Sequence, residues 1–157
     1  MAPGNYRNIA VIGAGAAGLC ASKYLATAGM RVTIFEIGTQ IGGLWCFMND
    51  NRRSSAYSTL HINTSRSVTR FHDLDFDEGV QSFPDHEDMH KYLVKYAEHF
   101  DLVKLIRFQS RVVDVRPQLP SDGREPFAWE IELDSGICEI FDAVVIASGH
   151  LTRPLHV

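Results

Sequence analysis

Asn8-Ile9-Ala10-Val11-Ile12-Gly13-Ala14-Gly15-Ala16-Ala17-Gly18 decides the reading of this chain. Ile9, Val11 and Ile12 form a short apolar run of the kind buried in a parallel strand, and the glycines that follow have the spacing G-x-G-x-x-G. Gly13 permits a tight turn, Gly15 lets the backbone approach a pyrophosphate, and Gly18 lets the next helix pack closely on the strand. No acidic side chain stands in the turn, so the helix-start N–H groups and dipole are free to face an anion. A second strand, Arg31 to Phe35, ends at Glu36, whose carboxylate can hydrogen-bond a ribose hydroxyl. Glycines alone would be weak evidence. Strand, glycines, helix, second strand and terminal acid in that order predict a dinucleotide site. Glu36 does not separate FAD from NAD, because both carry an adenosine ribose with a free 2′-hydroxyl, but it opposes a 2′-phosphate and so NADP at this first site.

Outward from this core, the sequence predicts a helix over Ala16–Ala28, stopped at Gly29, and a long irregular stretch from Ile37 to Ser55. Asp50 to Ser55 is polar and expected on the surface. Tyr57 to Phe76 has no clean period, and irregular stretches of that length in a compact domain are usually functional. Pro84 and Asp85 announce a helix over His86–His99, with Met89, Tyr92, Leu93 and Tyr96 at core-facing spacing. Strands are expected at Val103–Phe108, Arg111–Arg116, Phe127–Leu133 and Ile137–Phe141, with a surface loop over Pro117–Pro126. Ala143–Ala147 reads as a fully buried parallel strand. The expected fold is an α/β, doubly wound Rossmann-like domain with a parallel sheet and a three-stranded antiparallel insert, its ligand lying over the carboxyl ends of the parallel strands.

The 157 residues suffice for one domain with a core, and the net charge of −4 without a basic cluster gives no support for nucleic-acid binding. The longest apolar run is too short to span a bilayer, no secretory signal is visible, and three widely spaced cysteines suit a reducing compartment. A soluble, cytoplasmic protein is expected.

His86-Glu87-Asp88-Met89-His90 fits H-E-x-x-H, which on a helix can place two zinc ligands on one face. Its place in the first turn, where Glu87 and Asp88 suit the helix dipole, and Leu93 and Tyr96 where further ligand-motif residues would fall, argue for a helix start and for no metal site. Cys46 has no paired cysteine nearby for dithiol chemistry. The other histidines have no Ser or Cys partner that suggests a triad.

Gly42-Gly43-Leu44-Trp45 can bring backbone close to a flat cofactor, with Trp45 either covering a ring or filling core. Together with the Gly13–Gly18 loop, Glu36, Tyr57 to Asn63, His86 to Phe100, Val112 to Val115 and Val144 to Gly149, it resembles the flavin-containing monooxygenases. The resemblance implies the FAD-binding portion of an NADPH-dependent enzyme that oxygenates a soft nitrogen or sulfur nucleophile, a small molecule, with O2 through a C4a-hydroperoxyflavin. It implies that Gly13, Ala14, Gly15, Ala16, Ala17 and Gly18 hold the FAD pyrophosphate and Glu36 its ribose. Gln40, Gly43, Leu44 and Trp45 would line the flavin side, with Val113 as a further cofactor contact. His61, Ile62 and Asn63 would reach the flavin and nicotinamide, with Asn63 at the active-site asparagine. From the residues alone, the alternative reading of Asn63 is an Asx turn before Thr64-Ser65.

Residues 1–157 are then expected to be an incomplete FAD-binding domain, truncated before the NADPH-binding domain and inactive alone. The late F-x-G-x-x-x-H stretch of these oxygenases is absent, His61 departs from the commoner pattern, and Asp75 and Asp77 replace frequent prolines. Baeyer–Villiger chemistry therefore stays open. Two rival readings are a non-catalytic nucleotide-binding module and an NAD-only Rossmann domain.

Overall fold

A computed structural model describes residues 7–119 and 128–149. Four parallel strands form its central sheet: β1 (Asn8–Ile12), β2 (Arg31–Phe35), β3 (Ile106–Arg107) and β7 (Ala143–Ile146), in the order β3-β2-β1-β7. Ile12 stands level with Phe35 on one side and Ile146 on the other, so three strands end together at one edge.

The alternation of β1 explains the layers on either side. Ile9 and Val11 pack with Val32, Ile34 and, from the helix α1 (Ala16–Thr27), Leu25 and Ala26. Ala10 points the other way, joining Phe35 and the inner face of a three-stranded antiparallel sheet through Ile131, Leu133 and Phe141. That sheet comprises β4 (Val112–Gln118), β5 (Ala128–Leu133) and β6 (Cys138–Phe141).

The helix α3 (His86–His99) has the predicted bounds. Asp85 accepts the Asp88 N–H while the Asp88 carboxylate accepts the Asp85 N–H, a reciprocal cap of the first turn. Met89, Tyr92, Leu93, Tyr96 and Ala97 are buried at the spacing of one helix face, and Leu93 and Tyr96 meet Leu19 of α1. The irregular stretch before it contains one turn of helix, α2 (Arg66–Thr69).

Three expectations need correction. The run Val103–Phe108 is not one strand: it begins as a 3-10 turn over Val103–Leu105, and only Ile106–Arg107 pairs with β2. Leu102, buried behind a left-handed Asp101 (φ 56°), accepts the Leu105 N–H and commits these residues to a turn. β4 runs through Pro117 to Gln118, where a loop is expected. It is an edge strand, which tolerates the missing N–H. Leu119 follows it, exposed, and the rest of the predicted loop, with Phe127, falls outside the described residues. Finally, β7 is not fully buried. Ala143 to Val145 are half-buried and Ile146 is 72% exposed, because among the described residues β7 pairs only with β1 and is a sheet edge.

Candidate functional site

A cleft of about 610 Å3 opens where β1, β2 and β7 end. Gly13 turns the chain there at φ +106°, donating its N–H to the Phe35 carbonyl (2.8 Å). A Cβ on Gly13 would lie 2.5 Å from the Ala147 carbonyl oxygen, and one on Gly18 only 1.9 Å from that of Gly13. Both glycines are therefore demanded by backbone packing. Gly15 stands before α1, which has no side-chain cap and no acidic residue in its first turn. The N–H groups of Ala16, Ala17 and Gly18 thus have no partner within the helix, and Gly15, Ala16 and Ala17 form the cleft wall.

A strap of 3-10 helix, Gly43–Trp45, forms the opposite wall. Its approach is set by glycine: Gly42 and Gly43 have φ +119° and +56°, the Gly42 N–H donates to the Ala14 carbonyl (3.1 Å), and a Cβ on Gly43 would sit 3.1 Å from the Gly15 Cα. Trp45 both lines the cleft and packs on the Leu19–Tyr92–Tyr96 core.

Glu36 is 4% exposed and faces the cleft from the end of β2. Its carboxylate accepts the Ala14 N–H (2.9 Å) and the Gly38 N–H (2.8 Å). The acid therefore clips the glycine loop to the turn after β2, a role its position in the motif does not announce. A carboxylate has about four acceptor sites, so these bonds use about half of them.

The cleft gathers Gly13, Gly15, Ala16, Ala17, Glu36, Gly43, Leu44 and Trp45, as anticipated. Ala14 and Gly18 lie just behind the wall, where Ala14 holds Glu36 and Gly18 holds the turn. The remaining candidates are not in it. The Gln40 side-chain oxygen accepts the Cys46 thiol (2.6 Å), with the thiol pushed up in pKa by burial first and by Asp50 and Glu36 second. Val113 is the residue at a register shift of β4, its side chain 49% exposed, and Val112 takes the cleft-lining position instead. His61 and Asn63 are exposed, on a segment joined to the start of α3: Ile62, buried, donates its N–H to the Pro84 carbonyl (2.9 Å), and His61 bridges Asp85.

Sequence reasoning missed Asn49, Asn51 and Arg53 on one rim and Ser110 and Arg111 on another. The polar run around Asp50 reads as solvated loop. It is held because the Asp50 carboxylate accepts the Thr39 N–H (3.2 Å), which also lowers its pKa. The Gln109 and Ser110 N–H groups bond the Gly38 and Glu36 carbonyls (3.0 and 2.9 Å), bringing the segment before β4 to the cleft.

The two histidines of the H-E-x-x-H match face different carbonyls. His86 Nε2 lies 3.2 Å from the Ser58 oxygen and His90 Nε2 2.9 Å from that of Ile41. No group of three or more His, Cys, Asp or Glu side chains is arranged to hold a metal ion among the described residues, and no helix there is long and apolar enough to cross a membrane.

A parallel sheet, a glycine turn opening a helix N-terminus onto a cleft, and an acid closing the second strand define a dinucleotide-binding domain of Rossmann type. The model for flavin-binding monooxygenase-like proteins matches residues 6–156, and the chain belongs to that family. It is 35% identical to the flavin-containing monooxygenase FMO GS-OX-like 2 of Arabidopsis thaliana over 98% of this chain and 38% of that protein. With dimethylaniline monooxygenase [N-oxide-forming] 2 of Rattus norvegicus it shares 36% identity over 94% of this chain and 28% of the relative. The solved structure of S-allyl-L-cysteine S-oxygenase from Allium sativum superposes with a TM-score of 0.82 at 32% identity, covering 96% of this chain and 38% of that one. The chain thus spans 28–38% of the length of these relatives.

Proposed function

We propose that this chain is the FAD-binding portion of an NADPH-dependent flavin monooxygenase that oxygenates soft nitrogen or sulfur atoms of a small molecule. One observation carries the reading. The bare N-terminus of α1 and the Gly42–Trp45 strap face one cleft, with backbone against backbone where Gly15 meets Gly43, and Glu36 lies at its side. That donor set fits a dinucleotide: helix N–H groups for two phosphates, a carboxylate for a ribose, and no side chain where the backbone must come close.

FAD, when bound, supplies the redox and oxygen chemistry. The chain's own residues do the rest. Ala16 and Ala17 present N–H groups to the pyrophosphate, Glu36 accepts from the adenosine ribose, and Leu44 and Trp45 exclude water along the strap. Asn63, on the segment held to α3 through Ile62, is assigned to hydrogen-bond the reactive end of the cofactor. A neutral amide does so without delivering a proton, and a carboxylic acid there would supply one. Nitrogen or sulfur as the acceptor is favoured by relatives of 32–36% identity whose names specify N-oxide formation or S-oxygenation. A cyclohexanone monooxygenase is more distant at 26%. Cys20, Cys46 and Cys138 are free, in keeping with a cytoplasmic setting.

The test is a titration of the purified chain with FAD, followed by flavin absorbance and fluorescence. Weak, saturable perturbation of the flavin that is lost in Gly15→Val supports the reading, as does the absence of NADPH-dependent oxygen uptake by this chain alone. Binding of NAD with no response to FAD would replace it with a nicotinamide-binding module.

A further inference from the structure

The pair His86 and His90, one helical turn apart on α3, has no place in the cofactor reading. We propose that His90 is a positioning residue: its ring holds the Ile41 carbonyl and abuts Gly42, and so sets the Gly42–Trp45 strap against the phosphate loop. The inference rests on the cofactor reading only for its consequence for FAD.

A carbonyl only accepts, so His90 Nε2, 2.9 Å from the Ile41 oxygen, carries the proton and donates. Ile41 is buried (7% exposed), and no other donor to its carbonyl occurs among the described residues, so water does not readily replace the ring. Contact with Gly42 is just as close. A Cβ there would lie 2.7 Å from His90 Cδ2, and the φ of +119° already requires glycine. Three strap carbonyls have partners outside α3: Gly42 the Trp45 N–H (3.1 Å), Gly43 the Cys46 N–H (3.3 Å) and Leu44 the Ser54 hydroxyl (2.5 Å). Among the described residues, the Ile41 link is the one carbonyl hydrogen bond of this segment that reaches a regular element, and that element is held by its reciprocal cap and buried face. Since the Gly42 N–H in turn donates to Ala14, an unbroken path runs from α3 through His90 and Gly42 into the glycine loop. His86 does comparable work one turn earlier, its ring at the Ser58 carbonyl and its N–H on that of Leu60 (3.0 Å), so one face of α3 pins both flanking loops.

The test uses the whole 157-residue chain as wild type, His90→Leu and His90→Gln. Leucine keeps the bulk without a donor, whereas glutamine carries its amide nitrogen as many bonds from Cβ as His Nε2. Amide hydrogen exchange without cofactor is expected to accelerate about tenfold at Gly42, Trp45 and Cys46 in His90→Leu. The amides of Tyr92 to Ala97 should keep their rates, and His90→Gln should return the strap to within about twofold of wild type. The half-saturating FAD concentration should rise by a similar factor in His90→Leu alone. Unchanged strap exchange in His90→Leu, equal acceleration in α3, or a glutamine variant as fast as leucine would each overturn the proposal. A wild-type chain indifferent to FAD would remove the cofactor reading, while the exchange rates still decide the role of His90.

Discussion

Replacing Glu36 with alanine separates two roles that any loss of cofactor binding would confound. The carboxylate holds two buried N–H groups, those of Ala14 and Gly38, at 2.9 and 2.8 Å, in a residue only 4% exposed. Hydrogen bonds to a charged acceptor contribute about 1.5–3 kcal/mol each, and the donors left behind would be shielded from water. Deleting the acid also removes the cost of burying its charge, which offsets part of the loss. The net expectation is a destabilisation of about 3 kcal/mol in the absence of any nucleotide, or about 6–12 °C in Tm for a chain of this size. Glu36→Gln retains one oxygen but turns an NH2 toward the second N–H, so it should fall between wild type and alanine. Urea unfolding followed by tryptophan fluorescence, with no ligand added, measures all three. If Glu36→Ala unfolds within about 0.5 kcal/mol of wild type, the acid is not a clip of the glycine loop, and its burial must be explained differently.

Gly18→Ala should be far more damaging than Gly136→Ala, although the latter residue has φ +83°. A Cβ on Gly18 meets the Gly13 carbonyl oxygen at 1.9 Å, whereas one on Gly136 meets nothing within 4 Å; soluble yield and thermal melts should show loss of the fold in the first and a cost of about 1 kcal/mol in the second. Asp73 is held below the usual carboxylate range chiefly by a hydrogen bond from Lys23, so the pair stabilises the fold above about pH 4 and the contribution is lost as pH falls through the lowered pKa. Lys23→Met should therefore lower Tm at pH 7 and flatten its decline toward pH 3. Thiol labelling at pH 8 should reach exposed Cys138 first, with Cys46 and Cys20 lagging until urea unfolds the chain, because burial raises both thiols.

Elements with two agreeing local signals were readable from the sequence. Arg31–Phe35 combines a strand pattern with a terminal acid, and α3 combines a cap at Asp85 with a regular apolar face, so both bounds match the structure. A single signal was not enough. The apolar run from Val103 serves a turn as well as a strand, and the difference lies in the left-handed Asp101 before it. The exposure of Ile146 depends on what stands beside β7 in space, which a residue's own neighbours in sequence do not encode. At the site, the glycine loop and strap were legible because backbone approach demands glycine. Asn49 and Arg53 were not, since a polar run looks the same in solvent and at a rim. At the register shift in β4, Val112 and not the expected Val113 lines the cleft.

The manner in which this cleft is built explains how 32% identity coexists with a TM-score of 0.82. The wall around the glycine loop is framed by main-chain groups: the N–H groups that open α1, the Gly15–Gly43 contact, and the hydrogen bonds tying Gly13 to β2 and Ala147 to β1. Main-chain groups are supplied by every residue type, so the sequence is constrained only where a Cβ would intrude or a carboxylate must reach two donors. On the reading proposed above, the first loop and Glu36 would address features common to FAD and NAD, two phosphates and an adenosine ribose. On that reading, discrimination between them would fall to the Leu44–Trp45 side of the cleft, on a strap whose approach to Gly15 is set by backbone contact. A residue that sets that approach, from Gly42 to the His90 ring behind it, would then act on cofactor choice without touching the cofactor.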